Sequence, residues 1–195
     1  MKILKFIYRK LRNIYHNIVI YKNNIKDKIL YANYNLPSIF SILSKFNPDD
    51  IYSYMNGMFF SEDIPLFVKN HRKYFKESNR GFGEDLFHVL WFFIFKDLRP
   101  KNVLEIGVYR GQVLTLWSLL SKEMNIGANI YGLSPLKNIN DKVSEYIDID
   151  YKSDIEKNCD KFNIKVPNLI IELSNSEAGI NFIKSKKWDL IYIDG

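Results

Sequence analysis

Ten residues, 102–111, constrain this chain more than any other stretch. Asn102-Val103-Leu104-Glu105-Ile106 is a mostly apolar run with the character of a strand, and Gly107-Val108-Tyr109-Arg110-Gly111 is a turn bounded by glycines. Gln112 then opens a segment whose apolar positions 113, 114, 116, 117, 119 and 120 cover a broad helical face. Strand, glycine turn and helix in that order predict a βαβ unit with a helix packed on a sheet. Glycines let backbone approach a ligand closely, and the first amides of the helix point at it with the positive end of the helix dipole. Spacing then separates the candidate nucleotides. A dinucleotide turn needs Gly-x-Gly-x-x-Gly. Here Tyr109 stands where the middle glycine belongs, which disfavours a pyrophosphate and ranks an NAD-linked oxidoreductase last.

Glu105-x-Gly107-x-x-x-Gly111, preceded by Val103 and Leu104, resembles motif I of the class I (Rossmann-like) S-adenosylmethionine-dependent methyltransferases. The resemblance runs over about residues 85 to 195 and implies an α/β fold, a three-layer sandwich around a mainly parallel sheet. It also implies S-adenosylmethionine as cofactor. Glu105, Gly107, Tyr109 and Gly111 would hold its amino-acid end, a carboxylate pairing with the ammonium. Asn129 to Pro135 reads as the second strand and its exit turn, and Ser134 occupies the position where many family members carry an acid for the ribose hydroxyls. A serine makes only part of that contact. Asn168 to Leu173 reads as the third strand, followed by Ser174-Asn175-Ser176 before a helix from about Glu177 to Lys184. By resemblance Asn175 or Ser176 contacts the adenine, while helix capping is the alternative for Ser176.

The fourth strand, within Trp188 to Gly195, ends in Ile193-Asp194-Gly195 and resembles a branch that includes sugar O-methyltransferases and cephalosporin-hydroxylase-like proteins. There the aspartate faces the methyl donor and in some members helps hold a divalent metal such as Mg2+. Asp194 is thus the expected residue nearest the chemistry. Four strands are visible where the family's fold has seven, so the chain reads as the front part of a longer protein. Roughly 60 to 90 further residues would supply the remaining strands and much of the acceptor pocket. An apolar last strand left as an unpaired edge points the same way.

Charge is distributed unevenly. Residues 1–30 contain eight basic residues, Lys2, Lys5, Arg9, Lys10, Arg12, Lys22, Lys26 and Lys28, against the single acid Asp27, and the remainder is close to neutral. Leu4, Ile7, Leu11, Ile14 and Ile18 recur at steps of three and four, so residues 1–20 read as a basic amphipathic helix suited either to packing or to an anionic membrane surface. No uninterrupted apolar segment makes a signal peptide or a spanning helix. Nor does any recognised module or basic-aromatic platform suggest nucleic acid. Three regions follow: 1–32 as that helix, 33–83 as a helical and irregular cap-like region, and 84–195 as the cofactor domain, incomplete at its carboxyl end.

Within 33–83, helices are expected around Ile39 to Phe46 and Ile64 to Phe75, and Val89 to Phe95 is the apolar middle of a core helix ended by Arg99-Pro100. Ile155, Cys159 and Phe162 form a buried stripe, and Asp148, Asp150, Asp154 and Glu156 read as caps and solvated surface. The one cysteine fits a reducing compartment and a packed thiol. His16, His71 and His88 are scattered, with no metal-ligand spacing. The abundance of Ile, Asn and Lys suggests an AT-rich, bacterial genome.

Two functional readings result. One is a cytoplasmic enzyme, peripheral at the inner face of the membrane if residues 1–20 bind there, that methylates a hydroxyl of a sugar in a surface polysaccharide or of a secondary metabolite. The other is a non-catalytic Rossmann-like binding or membrane-associated module, favoured by Ser134 and opposed by Glu105, Gly107, Gly111 and Asp194.

Overall fold

The computed structural model describes residues 36–138 and 147–194; the expected helix over residues 1–20 and the terminal Gly195 lie outside them. Two compact units divide the chain. Residues up to Tyr74 together with Gly83–Phe93 form one, and Phe75–Phe82 with Ile94 onward form the other.

The first unit is helical. Helix α1 (Ile39–Lys45) starts at Ser38, whose side chain accepts from the Ser41 N–H, and buries Ile39 and Ile42. Helix α2 (Pro48–Phe60) falls where the sequence predicted an irregular connection. Pro48 breaks a helix interior but suits a first turn, and Asn47 caps the Asp50 N–H at 3.0 Å. Helix α3 (Leu66–Glu77) and helix α4 (Asp85–Leu98) continue into the second unit. Met55, Phe59, Ile64, Val68, Val89 and Phe92 are fully buried in the first unit. His71 and His88, 17 residues apart, meet there with Nδ1 and Nε2 at 3.0 Å. Burial, with Arg72 beside it, pushes His71 down to about 3, and burial with His71 and Arg72 holds His88 well below the usual imidazole range. Both rings are therefore neutral at ordinary pH.

The second unit is built on a parallel sheet of four strands in the order β3-β2-β1-β4: β1 (Asn102–Ile106), β2 (Asn129–Leu133), β3 (Asn168–Ile170) and β4 (Leu190–Ile193). Helix α5 (Gln112–Glu123) joins β1 to β2, α6 (Tyr151–Lys161) lies between β2 and β3, and α7 (Glu177–Lys184) joins β3 to β4. This is an α/β, Rossmann-like arrangement, with seven helices among the described residues. The connections lead β1 to β2 to β3 in one direction, and the return to β4, on the other side of β1, reverses it.

Alternation of side chains shows how the two faces are covered. A Cβ on Gly132 would stand 2.6 Å from Leu114, so α5 lies on the face shared by Gly132, Glu105 and Tyr192. Tyr131, pointing the other way, meets Phe182 of α7 at 5.8 Å and Trp188 at 5.2 Å between ring centroids. Leu114, Leu116, Trp117, Leu119 and Leu120 of α5 are buried, each such side chain contributing about 1.5 to 3 kcal/mol. The single thiol, Cys159, is buried on α6 beside Ile155 in the stripe, and burial pushes it up to about 12.

Strand β3 is three residues long, where the sequence suggested six through Leu173. Its partner sets the limit. Strand β2 ends opposite Ile170, and the next amide, Ser134, donates to the Ile170 carbonyl. Ile171 and Leu173 are left exposed.

Candidate functional site

In open parallel sheets, ligands bind outside the carboxyl ends of the strands at the point where strand order reverses. That point here is the β1/β4 pair. Strand β1 delivers Glu105 and Gly107 to it, and β4 delivers Tyr192 and Asp194, with Glu105 and Tyr192 in register. The Asp194 amide donates to the Ile106 carbonyl at 2.8 Å, extending the pairing one residue beyond β4.

Glu105 is the unusual group. It is 3% exposed, its Oε2 has no hydrogen-bond partner among the described residues, and its carboxylate receives a hydrogen bond from the Leu114 backbone N–H in the first turn of α5. Burial pushes its pKa well above the ordinary carboxyl range, repulsion from Asp194 adds to this, and the Leu114 N–H opposes it. Tyr192 is pushed up to about 12 by burial, by Asp194 and Glu105, and by its hydrogen bond to Asp194. A ligand that brings positive charge to this corner would relieve both the orphaned oxygen and the repulsion.

The glycine turn beside Glu105 is held from several sides. Gly107, at φ +90°, donates from its amide to Leu133, and Gly111, at φ +76°, is the N-cap of α5. A Cβ at Gly111 would stand 2.8 Å from Ile155 of α6, so both the conformation and the space require glycine there. The Arg110 Nε donates to Asp154 at 2.6 Å, and the Arg80 Nε donates to the other oxygen of the same carboxylate at 3.2 Å. Asn158 donates to the Arg110 carbonyl at 2.9 Å. Tyr109 in the turn lies 5.0 Å from Phe82 and 5.6 Å from Tyr151 between ring centroids.

Asp154 was expected on the surface; it is 7% exposed and paired with two arginines. Arg80, Arg110, Asn158 and Tyr192 were not singled out from sequence. Asp154 and Asn158 are four apart on one helix face, a spacing that could have linked them. Asp150, by contrast, is the cap it was read to be, accepting from the Ser153 N–H at 3.0 Å.

The remaining predicted residues sit elsewhere. Ser134 follows β2, is 2% exposed and donates its hydroxyl to the Val108 carbonyl at 3.2 Å, so it braces the turn, while its oxygen keeps acceptor lone pairs. Ser176 caps α7, accepting from Gly179 at 3.0 Å, and Asn175 is exposed in the turn before it. Among the described residues no group of three or more His, Cys, Asp or Glu side chains could hold a metal, so the divalent metal considered for Asp194 has no ligand set there. At the opposite, amino end of the strands lies a cleft of about 400 Å3 whose lining includes Ser121, Lys122, Asn125 and Lys165.

No protein-family model matches this chain, and no curated protein matches it. Among solved structures, the crystal structure of the SAH-bound methyltransferase PaMTH1 of Podospora anserina is similar over 82% of this chain and 62% of its own, at 21% identity and a TM-score of 0.47. The chain thus spans less than two thirds of that protein's length. The α/β fold stands on its own strand order. Among the described residues no helix is long and apolar enough to cross a membrane.

Proposed function

We propose that this chain carries the cofactor site of an S-adenosylmethionine-dependent methyltransferase acting on a hydroxyl, with a sugar or a secondary metabolite as acceptor. The observation that carries the reading is the buried, unpartnered Glu105 oxygen at the β1/β4 switch point beside Asp194. Among the described residues no cation pairs with it, and a ligand ammonium would supply one and favour its ionised form. Glu105 would hold that group, while Gly107, Tyr109 and Gly111 would present the turn to the rest of the ligand. Asn175 and Ser176, past β3, are assigned to the nucleoside side. When bound, the cofactor supplies an electrophilic methyl group. Asp194, exposed just past β4, would orient an acceptor hydroxyl and take its proton. The sugar or metabolite hydroxyl rests on the Ile193-Asp194-Gly195 resemblance.

Calorimetric titration of S-adenosylhomocysteine into the chain and into Glu105→Gln tests this. Saturable binding should weaken at least tenfold in the variant, because the amide keeps the shape and loses the charge. Absence of binding to a chain with an intact cooperative melt would refute the assignment and favour the non-catalytic module.

A further inference from the structure

We propose that His71 and His88 form an acid-released latch between α3 and α4, holding the helical unit closed while both rings are neutral and letting it open when protons bind. The latch is a direct ring-to-ring bond. Nδ1 of His71 on α3 and Nε2 of His88 on α4 stand 3.0 Å apart, and the two residues are 0% and 1% exposed. Nδ1 of His88 has no partner among the described residues. A buried N–H without an acceptor is the costlier orphan, so His88 carries its hydrogen on Nε2 and donates it to Nδ1 of His71.

The surroundings offer an added proton no compensation. Arg72, 5% exposed, is the charged group that acts on both rings. Asp85 is the one acid of the described unit that is not exposed, and the Arg72 Nε already engages it at 3.0 Å. Lys69, fully buried, donates to the Ser61 carbonyl, and Lys73 is a further cation on α3. Helices α1 and α2 bring only exposed charges, Lys45, Asp49 and Asp50, and Glu62, Asp63 and Glu84 outside the helices are exposed as well. A buried imidazolium here would face a guanidinium across a dry interior.

The direction of the response follows. Opening returns each ring to water and to the ordinary imidazole value of 6.5, whereas the closed unit holds His71 down at about 3 and His88 well below the usual range. Well above 6.5 neither state takes up protons, and the latch is indifferent to pH. Below it the open unit binds two protons that the closed one refuses, so the open population climbs by up to about a hundredfold per pH unit. This device lies outside the cofactor site and does not depend on it.

Hydrogen–deuterium exchange of the full chain between about pH 7.5 and about pH 5, corrected for the intrinsic pH dependence of exchange, tests it. Amides of 66–74 and 86–92 should lose several hundredfold in protection from about pH 7 to about pH 5, while those of β1 and α5 change less than about tenfold. His71→Asn with His88→Gln puts a carbonyl where Nδ1 stood and an amide where Nε2 stood, which keeps a hydrogen bond with nothing to titrate. Protection in that variant should stay within about threefold over the same range. Nitrogen-15 spectra of the wild-type imidazoles need no folded variant: His88 should carry its hydrogen on Nε2, and neither ring should protonate in the folded chain above about pH 5. Titration of either ring near 6.5 in the folded chain overturns the proposal. Equal loss of protection in both units overturns it too, as does an acid opening that persists in the double variant.

Discussion

Glu105 is 3% exposed and Asp154 is 7% exposed, two buried carboxylates of the same unit on either side of one glycine turn. Asp154 has Arg80 and Arg110 on its two oxygens. Burial pulls its pKa up, but the Arg110 and Arg80 contacts outweigh this and hold it below the ordinary carboxylate range. Glu105 has one backbone N–H, an oxygen without a partner and Asp194 close enough to repel it, and its pKa is raised. A carboxylate that the fold has satisfied is a strut; one that the fold has buried and left short of a cation is poised for something that arrives later. Low exposure therefore says little about role until partners are counted.

Breaking the strut should have the largest effect. Asp154→Asn leaves two guanidinium groups beside a neutral amide and is expected to lower the unfolding free energy by about 3 kcal/mol. A thermal midpoint within about one degree of the wild type would remove the contrast. Gly111→Ala probes the same turn without touching charge. With φ at +76° and Ile155 2.8 Å from the new Cβ, it should cost about 2 kcal/mol by denaturant melt. A neutral result would mean that the turn relaxes freely, and then the ion pairs alone would hold it.

The smallest change in stability, and the opposite sign, is expected from Glu105→Gln. At neutral pH the substitution should leave the fold unchanged or up to about 1 kcal/mol more stable, even as ligand affinity falls. Its pH dependence separates the two carboxylates. For Asp154, folded pKa below its reference 3.8, the stabilisation is present above that value and lost as pH falls through the folded pKa. For Glu105, folded pKa above its reference 4.5, a penalty grows as pH rises from there through the folded pKa. Melting the wild type and Glu105→Gln between about pH 5 and pH 8 should show the variant's advantage widening with pH. A constant difference would place the folded Glu105 pKa at its reference value.

Much of the fold was legible because it is written locally. Val103 to Gly111 and the helix after it carry strand period, turn glycines and helical face within a few residues of one another, and they fold as they read. The helix Pro48–Phe60 was not expected from sequence: a proline is read as a breaker in a helix interior, but Asn47 supplies the cap that makes Pro48 a first-turn residue. The length of β3 was set by β2, which ends at Leu133. In the candidate site, Glu105, Gly107, Gly111 and Asp194 could be named from motif and strand end. Asp154 could not be told from a surface acid, because Arg110 lies 44 residues away and Arg80 lies 74 away. The meeting of His71 and His88 is likewise a product of packing, not of spacing.

The one cysteine of the chain sits on the face of α6 that also carries Ile155, the side chain pressed against Gly111. With its thiol buried and pushed up to about 12, Cys159 reacts with an alkylating reagent only when that part of α6 lifts away. Its labelling rate is thus a clock for how often the turn loses its support, readable by mass without a probe or a substrate. A ligand gripping the turn should slow that clock.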